Sequence, residues 1–213
     1  MKYSVVIPCA GMGKRMGLGY NKLLYKVDDE TIIEKTVNIF LEDERCDQII
    51  LVISQTDQEA FEKLFHAVPK ISWCLGGKER QDSVYQGLLH VTSDYVMVHD
   101  GARPYLSKEC IDRLLLTLEN YDACLLMVAA KDTIKVIDEN GFVKETPNRA
   151  SLMHAQTPQA FKTEVIKEAY NIAQKQNFLG TDDASLVEAL MDVPVKVVAG
   201  DYRNKKMTTP EDL

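Results

Sequence analysis

No Cys-x-x-Cys pair occurs in this chain, whose five cysteines (Cys9, Cys46, Cys74, Cys110 and Cys124) are scattered and odd in number. Neither a disulfide framework nor a zinc ribbon is expected, and a reducing cytoplasm suits the pattern. No apolar run approaches the roughly 20 residues of a membrane span. The short one that ends at Pro8 is too brief for the core of an export signal. A basic excess is also missing: 25 Lys and Arg stand against 32 Asp and Glu, a formal charge of -7 and a pI near 5.2. A broad nucleic-acid-gripping face is therefore excluded, no membrane partner is expected, and any anion site must be local. The four histidines (His66, His90, His99 and His154) have no serine or cysteine partner in a triad pattern, so none is assigned a catalytic role. The eight methionines are dispersed and read as core filling. There is no internal repeat, low-complexity tract or linker, and 213 residues with 46% hydrophobic content are expected to form one domain, 1–213.

What the chain does have is VVIPCAGMGKRMGLGYNK, from Val5 to Lys22: an apolar run, a proline, then a loop with four glycines and three cations. Tyr3 to Ile7 reads as a strand buried on both faces, which belongs to a parallel sheet covered by helices. The loop then leaves the carboxyl end of a central strand, where open α/β sheets place ligands. Gly11 and Gly13 allow close backbone approach, and Lys14, Arg15 and Lys22 supply charge for phosphates. A glycine-rich turn with solvated cations is the plainer alternative. A Walker loop is excluded because Pro8 stands where its first glycine would be and Arg15 follows Lys14. A dinucleotide fingerprint is weakened by Met16 at its third glycine position.

Further along, apolar periodicity predicts helices over 31–41, 56–66, 80–91, 107–118, 162–174 and 184–191, and strands over 48–53, 71–75, 95–98, 123–128 and 195–198. Gly76-Gly77 precedes the third helix, with Ser83 in its first turn. The strand at 95–98 delivers His99-Asp100-Gly101-Ala102-Arg103-Pro104 to the edge that carries the glycine loop. There Asp100 and Arg103 form either a local surface pair or part of a site. Segments 133–137 and 142–146 read as a β-hairpin around Asn140-Gly141. It is too small to be stable alone and is either a flap on its own subunit or an arm packed on a second one. Arg149 to Phe161, with Pro158 and little periodicity, reads as an irregular return to the body. Thr181 is placed to cap the last helix.

PCAGMGKRM, GGKERQDSV, VHDGARP, KDTIKV, HAQTPQAF, TDDAS and MTTPEDL, in that order, resemble the 2-C-methyl-D-erythritol 4-phosphate cytidylyltransferases, a family of sugar-phosphate nucleotidyltransferases in the non-mevalonate isoprenoid pathway. The resemblance runs from Val5 to the last residue. Cys9 departs from the usual alanine and Asn21-Lys22 from the usual Pro-Lys. Family members commonly continue beyond the point matching Leu213 into a short helix, so a truncated or short variant is expected. The resemblance implies a Rossmann-like α/β fold, a mostly parallel sheet with helices on both faces, and a hairpin arm at about 132–154 used for dimerisation. It implies transfer of the cytidylyl group of CTP to a polyol phosphate with release of pyrophosphate, and Mg²⁺ as cofactor. By resemblance, Cys9, Ala10, Gly11, Gly13, Gly77, Ser83 and Asp100 bind the nucleotide, and Asp100 is also the candidate metal ligand. Arg15 and Lys22 act on the triphosphate, and Arg149 and Lys206 position the attacking phosphate. Arg103, Thr133, Thr157 and Thr181 bind the acceptor, with Thr133, Arg149 and Thr157 in the arm that crosses to the neighbouring site of a homodimer. The alternatives are a ribitol 5-phosphate cytidylyltransferase and a noncatalytic nucleotide-binding protein on the same fold.

Overall fold

The computed structural model describes residues 1–11, 19–209 and 212. In chain order its elements are β1 (Tyr3–Pro8), β2 (Lys26–Val27), β3 (Glu30–Thr31), α1 (Ile32–Leu41), β4 (Cys46–Ile53), α2 (Gln58–Phe65), β5 (Ile71–Leu75), α3 (Arg80–Leu89), β6 (Tyr95–Val98), α4 (Lys108–Leu118), β7 (Ala123–Ala129), β8 (Val136–Ile137), β9 (Val143–Glu145), β10 (Met153–Lys162), α5 (Thr163–Gln176), α6 (Asp183–Leu190) and β11 (Val195–Ala199). Four of them form two short side structures: β2 pairs β3, and β8 pairs β9.

The main sheet has seven strands in the order β11-β7-β10-β6-β1-β4-β5. β1 runs parallel to both β4 and β6, and only β10 is antiparallel to its neighbours. Alternate side chains of β1 feed two cores. Val5 and Ile7 join a cluster with Ile33 and Phe40 of α1, Phe61 of α2 and Leu114 of α4. Val6 joins Val84 and Leu88 of α3, Ile166 of α5 and Leu186 of α6 on the opposite face. That division is the expected sheet with helices on both faces, because a strand flanked by strands and covered on both sides buries every residue.

Local chemistry sets the helix starts. Thr31 and Glu34 form a reciprocal capping box on α1. Glu79 and Asp82 do the same for α3, which opens at the ligand edge. Ser107 occupies the cap position of α4 without a side-chain cap bond. The expected Thr181 cap is corrected: Asp182 caps α6, accepting from the Ser185 N–H. A carboxylate one residue nearer the helix outcompetes the hydroxyl.

Two further expectations change. The segment from Arg149 to Phe161 is irregular only over its first residues; Met153–Lys162 is a ten-residue strand between β6 and β7. Pro158 is tolerated because the pairing with β7 shifts register between Ala155 and Gln159, where no ladder N–H is required. The Thr157–Pro158 peptide is cis. The hairpin exists but is shorter than expected, and its turn is not the two-residue form that needs positive φ at both central positions. Gly141 has φ +85 while Asn140 is not left-handed, and the Asp138 carboxylate closes the loop by accepting from the Asn140 and Phe142 N–H groups.

Gly87 of α3 lies flat on the sheet: a Cβ there would meet Val6 Cγ1 at 2.5 Å and Val52 Cγ2 at 2.8 Å. Both partners are buried side chains with no room to retreat. We expect Gly87→Ala to lose about 1–3 kcal/mol of stability through overpacking. An unchanged urea midpoint would show that α3 can lift off the sheet without cost.

Candidate active site

Six of the seven main-sheet strands point the same way, so the ends of β1, β5 and β6 meet at one edge. The loops that follow them enclose a cavity of about 270 Å³. Cys9, Ala10, Gly11, Lys22, Gly77, Ser83, Asp100 and Lys206 all line it, so eight of the expected site residues, drawn from both ends of the chain, come together. Gly13 and Arg15 lie outside the described residues.

The floor is backbone held by side chains. A Cβ on Gly77 would collide with the Asp82 side chain, and one on Gly76 would come within 2.7 Å of Ser83 Oγ. The space is used by the Ser83 hydroxyl, which accepts from the Gly77 N–H at 3.1 Å and donates to the Glu79 carbonyl at 3.1 Å. Ser83 thus ties the glycine pair to the first turn of α3. The Cys9 thiol is fully buried, and burial pushes its pKa well up, so it is a packing group here and not a nucleophile.

Asp100 is the centre. Its side chain is only 10% exposed, and among the described residues three cations meet it: Lys206 Nζ at 3.0 Å, Arg103 Nε at 3.4 Å and Arg80 at 3.6 Å. Burial alone would raise its carboxyl; Lys206, Arg80 and Arg103 outweigh that and hold it far below the ordinary carboxylate range. Arg103 is held in turn by the Asn204 carbonyl at 2.7 Å, and Lys22 donates to the Met207 carbonyl at 2.6 Å. The stretch from Asn204 to Met207 therefore stitches across the strand ends, with Met207 N–H donating to the Ala102 carbonyl.

Arg80 lies within GGKERQDSV, and nothing in its neighbouring residues signals a role. It lines the cleft and forks onto the buried Asp183 at 2.8 and 3.2 Å, where Tyr170 donates its hydroxyl at 2.6 Å. Arg80 and Asp183 are 103 positions apart, and no spacing rule links them. Thr181 is exposed and lines a smaller neighbouring cavity of about 140 Å³ whose wall is also Arg80.

Thr157 belongs to β10, not to the arm. Because β10 is antiparallel, its beginning lies at the ligand edge, beneath Asp100. Its buried hydroxyl accepts from the Asp100 N–H at 2.9 Å and meets His99 Nδ1 at 3.1 Å, while His99 Nε2 lies 3.1 Å from the Arg103 carbonyl. The carbonyl can only accept, so Nε2 carries the proton and Nδ1 accepts from Thr157, a neutral ring. Thr133 and Arg149 are exposed and outside the cleft of their own chain; Arg149 donates to the Lys131 carbonyl at 2.9 Å.

A mostly parallel α/β sheet with a cation-ringed cleft at its strand-end edge is the arrangement expected of a nucleotidyltransferase. Residues 3–213 match the model of IspD, 2-C-methyl-D-erythritol 4-phosphate cytidylyltransferase, and the chain belongs to that family. It is 46% identical over 217 residues to the 2-C-methyl-D-erythritol 4-phosphate cytidylyltransferase of Geobacillus thermodenitrificans, covering 100% of this chain and 94% of that one. It is 45% identical over 215 residues to the protein of the same name from Bacillus thuringiensis, covering 99% and 94%. The solved 4-diphosphocytidyl-2C-methyl-D-erythritol synthase of Anaerococcus prevotii superposes with a TM-score of 0.88 at 33% identity, covering 99% of this chain and 94% of that one. The chain is thus an enzyme, the cytidylyltransferase of the non-mevalonate pathway that acts on 2-C-methyl-D-erythritol 4-phosphate, and the ribitol and noncatalytic alternatives fall away.

The His99 ring gives a pH dependence. Burial pushes its pKa down from 6.5 to about 4. Above pH 6.5 it is neutral folded and unfolded alike. Between 6.5 and about 4 the unfolded chain binds a proton there and the folded one does not, so stability falls with pH by up to about 1.4 kcal/mol per unit. Asp100 contributes fully only down to about pH 5 and loses part of its contribution below that, as the unfolded carboxyl, with its ordinary value of 3.8, begins to bind a proton. Urea midpoints from pH 7 to 4.5 should decline less steeply in His99→Gln than in the parent; parallel declines would assign the loss elsewhere.

Proposed function

We propose that the cleft over Asp100 is where the cytidylyl transfer takes place, with the base end of CTP over Cys9, Ala10, Gly77 and Ser83 and the triphosphate directed to Lys22 and Arg15. The observation that carries this is the ionised Asp100 held among Lys206, Arg103 and Arg80 at the wall of a cavity whose floor is backbone. Cytosine carries an amino donor where uracil has a carbonyl, and backbone carbonyls of the cleft loops would favour that donor.

The transfer is an in-line displacement. A phosphate oxygen of the acceptor attacks the α-phosphorus of CTP, the bond to the β-phosphate oxygen breaks, and pyrophosphate leaves with its electron pair. No side chain forms a covalent bond. What the chain must do is bring two polyanions together and stabilise charge that grows on the equatorial oxygens. Lys22 and Lys206 both line the cleft, Lys206 on Asp100 and Lys22 on the Met207 carbonyl, so two cations are at hand for the two substrates. Arg103, pinned by Asn204, and Thr181, in the neighbouring cavity that shares Arg80, are assigned to the acceptor.

A divalent cation such as Mg²⁺ fits this donor set in one way. Asp100 is a hard oxygen donor kept ionised, and among the described residues no group of three or more acidic, histidine or cysteine side chains could hold an ion. Asp100 would then be the protein's contribution to a cation carried mainly by triphosphate oxygens and water, the usual manner of Mg²⁺. Bound there, it would neutralise triphosphate charge.

The arm is read as a dimer contact. It exposes Ile137, Phe142 and Val143 at 62%, 72% and 60%, on a two-stranded hairpin too small to be stable by itself. A second copy of the chain would cover those side chains and carry Arg149 and Thr133 towards its neighbour's cleft. The five free cysteines fit the cytoplasm as the place of work.

Lys22→Ala should lower kcat about a hundred- to a thousandfold with little change in acceptor KM, read as pyrophosphate release from CTP and 2-C-methyl-D-erythritol 4-phosphate with Mg²⁺. Near-normal turnover would remove Lys22 from the chemistry. For the arm, coexpression of Arg149→Ala with Lys22→Ala should restore one intact site per heterodimer. A verified heterodimer with no recovery would place Arg149 in its own subunit's machinery.

A further inference from the structure

Directly before Lys22 stands a residue whose side chain is buried although it is polar: Asn21 is 1% exposed. Its Oδ1 accepts from the Leu23 N–H at 3.1 Å, and its Nδ2 donates to the Cys9 carbonyl and to Asp57 Oδ2, both at 2.8 Å. The orientation of the amide is decided by those partners, since one side faces a donor and the other faces two acceptors. Asp57 is held in turn by the Ser54 hydroxyl at 2.7 Å.

Three separate pieces of chain converge on this one amide. Cys9 belongs to the loop after β1. Lys22–Leu24 is a single 3-10 turn that Asn21 caps. Asp57 ends a second 3-10 turn, Gln55–Asp57, in the connection after β4. The Lys22 turn is also anchored on its apolar side by Leu23 in the core, with Leu24 packed against it. Of its three residues only Leu23 is buried, and its backbone bonds run from Leu24 N–H to the Asn21 carbonyl and from Tyr25 N–H to the Lys22 carbonyl. Lys22 also reaches the Met207 carbonyl through a long flexible stem, which locates the ammonium but not the backbone.

We propose that Asn21 is a positioning residue: by bridging the Cys9 carbonyl, the Leu23 N–H and Asp57, it sets where Lys22 stands relative to the loop on the nucleotide side of the cleft. This rests on the reading of Lys22 as a cation for the triphosphate. An apolar side chain of similar volume would fill the space but would leave the Cys9 carbonyl without its amide partner and the turn without its cap. Displacement of a reacting or stabilising group by 1 Å costs up to about a hundredfold in rate, so a shift of a fraction of that matters.

The test is a double-mutant cycle on kcat with CTP and 2-C-methyl-D-erythritol 4-phosphate, read as pyrophosphate release, with a urea midpoint for each variant. Asn21→Ala should lower kcat about tenfold when Lys22 is present and by less than about twofold when Lys22 is already alanine, because its effect runs through Lys22. The same loss in both backgrounds would overturn the proposal and leave Asn21 as a fold-stabilising group alone, as would undiminished turnover in the single variant. Should Asn21→Ala not fold, Asn21→Ser takes its place, since its hydroxyl can cap the turn but is too short to bridge both acceptors; the same two outcomes decide. Lys22→Ala with parental turnover would instead sink the reading of Lys22, whatever residue 21 does.

Discussion

The carboxylate of Asp100 is the constraint on which the rest of the cleft depends. A buried charge is tolerated only when other charges meet it, and removing one partner from such a set typically costs several kcal/mol. The partners here come from three distant parts of the chain: Arg80 opens α3, Arg103 follows β6 in the same turn as Asp100, and Lys206 lies beyond the last strand. Building the ring therefore requires the chain to finish folding. The segment after β11 has to return over the strand ends before Lys206 and Met207 can take their places.

That requirement explains how much polar stitching surrounds the site. Asn204 donates its amide to the Thr157 carbonyl and offers its own carbonyl to Arg103. Thr157 supports the Asp100 N–H and His99, and His99 holds the Arg103 carbonyl. Each group acts on the backbone of the Asp100 turn, so the carboxylate is aimed by hydrogen bonds as well as by charge. A neutral histidine is suited to this task because it donates on one side and accepts on the other; its protonated form could only donate.

The sheet supplies the rigid platform, and its one antiparallel strand shapes the site as much as the parallel ones. Parallel strands bring their ends to the ligand edge. β10 brings its beginning, and so delivers Gln156 and Thr157 under the turn that carries the acid. Further from the edge, β10 pairs with β6 and β7 and closes the gap between the two halves of the sheet. The apolar hairpin leaves from the same region, between β7 and β10, which sets the arm beside the cleft in sequence while leaving Arg149 and Thr133 outside it in the single chain.

Periodicity alone was enough to place β1, β5, β6 and the helices, because burial on two faces or one stripe writes itself into neighbouring residues. Glycine pairs, the Asp100 turn and the order of motifs were enough to indicate a nucleotidyltransferase. What neighbouring residues cannot encode is who meets whom across the sheet. The strand character of Met153–Lys162 was hidden by Pro158 and by burial that erases alternation, and it became visible only between β6 and β7. The pairing of Arg80 with Asp183, the Thr157–His99 support and the Asn21 bridge to Cys9 and Asp57 join residues from 12 to 103 positions apart. Such bonds form because folding excludes water from both partners at once. That is a property of the assembled sheet edge, and it decided which residues act on the site and which only stand near it in sequence.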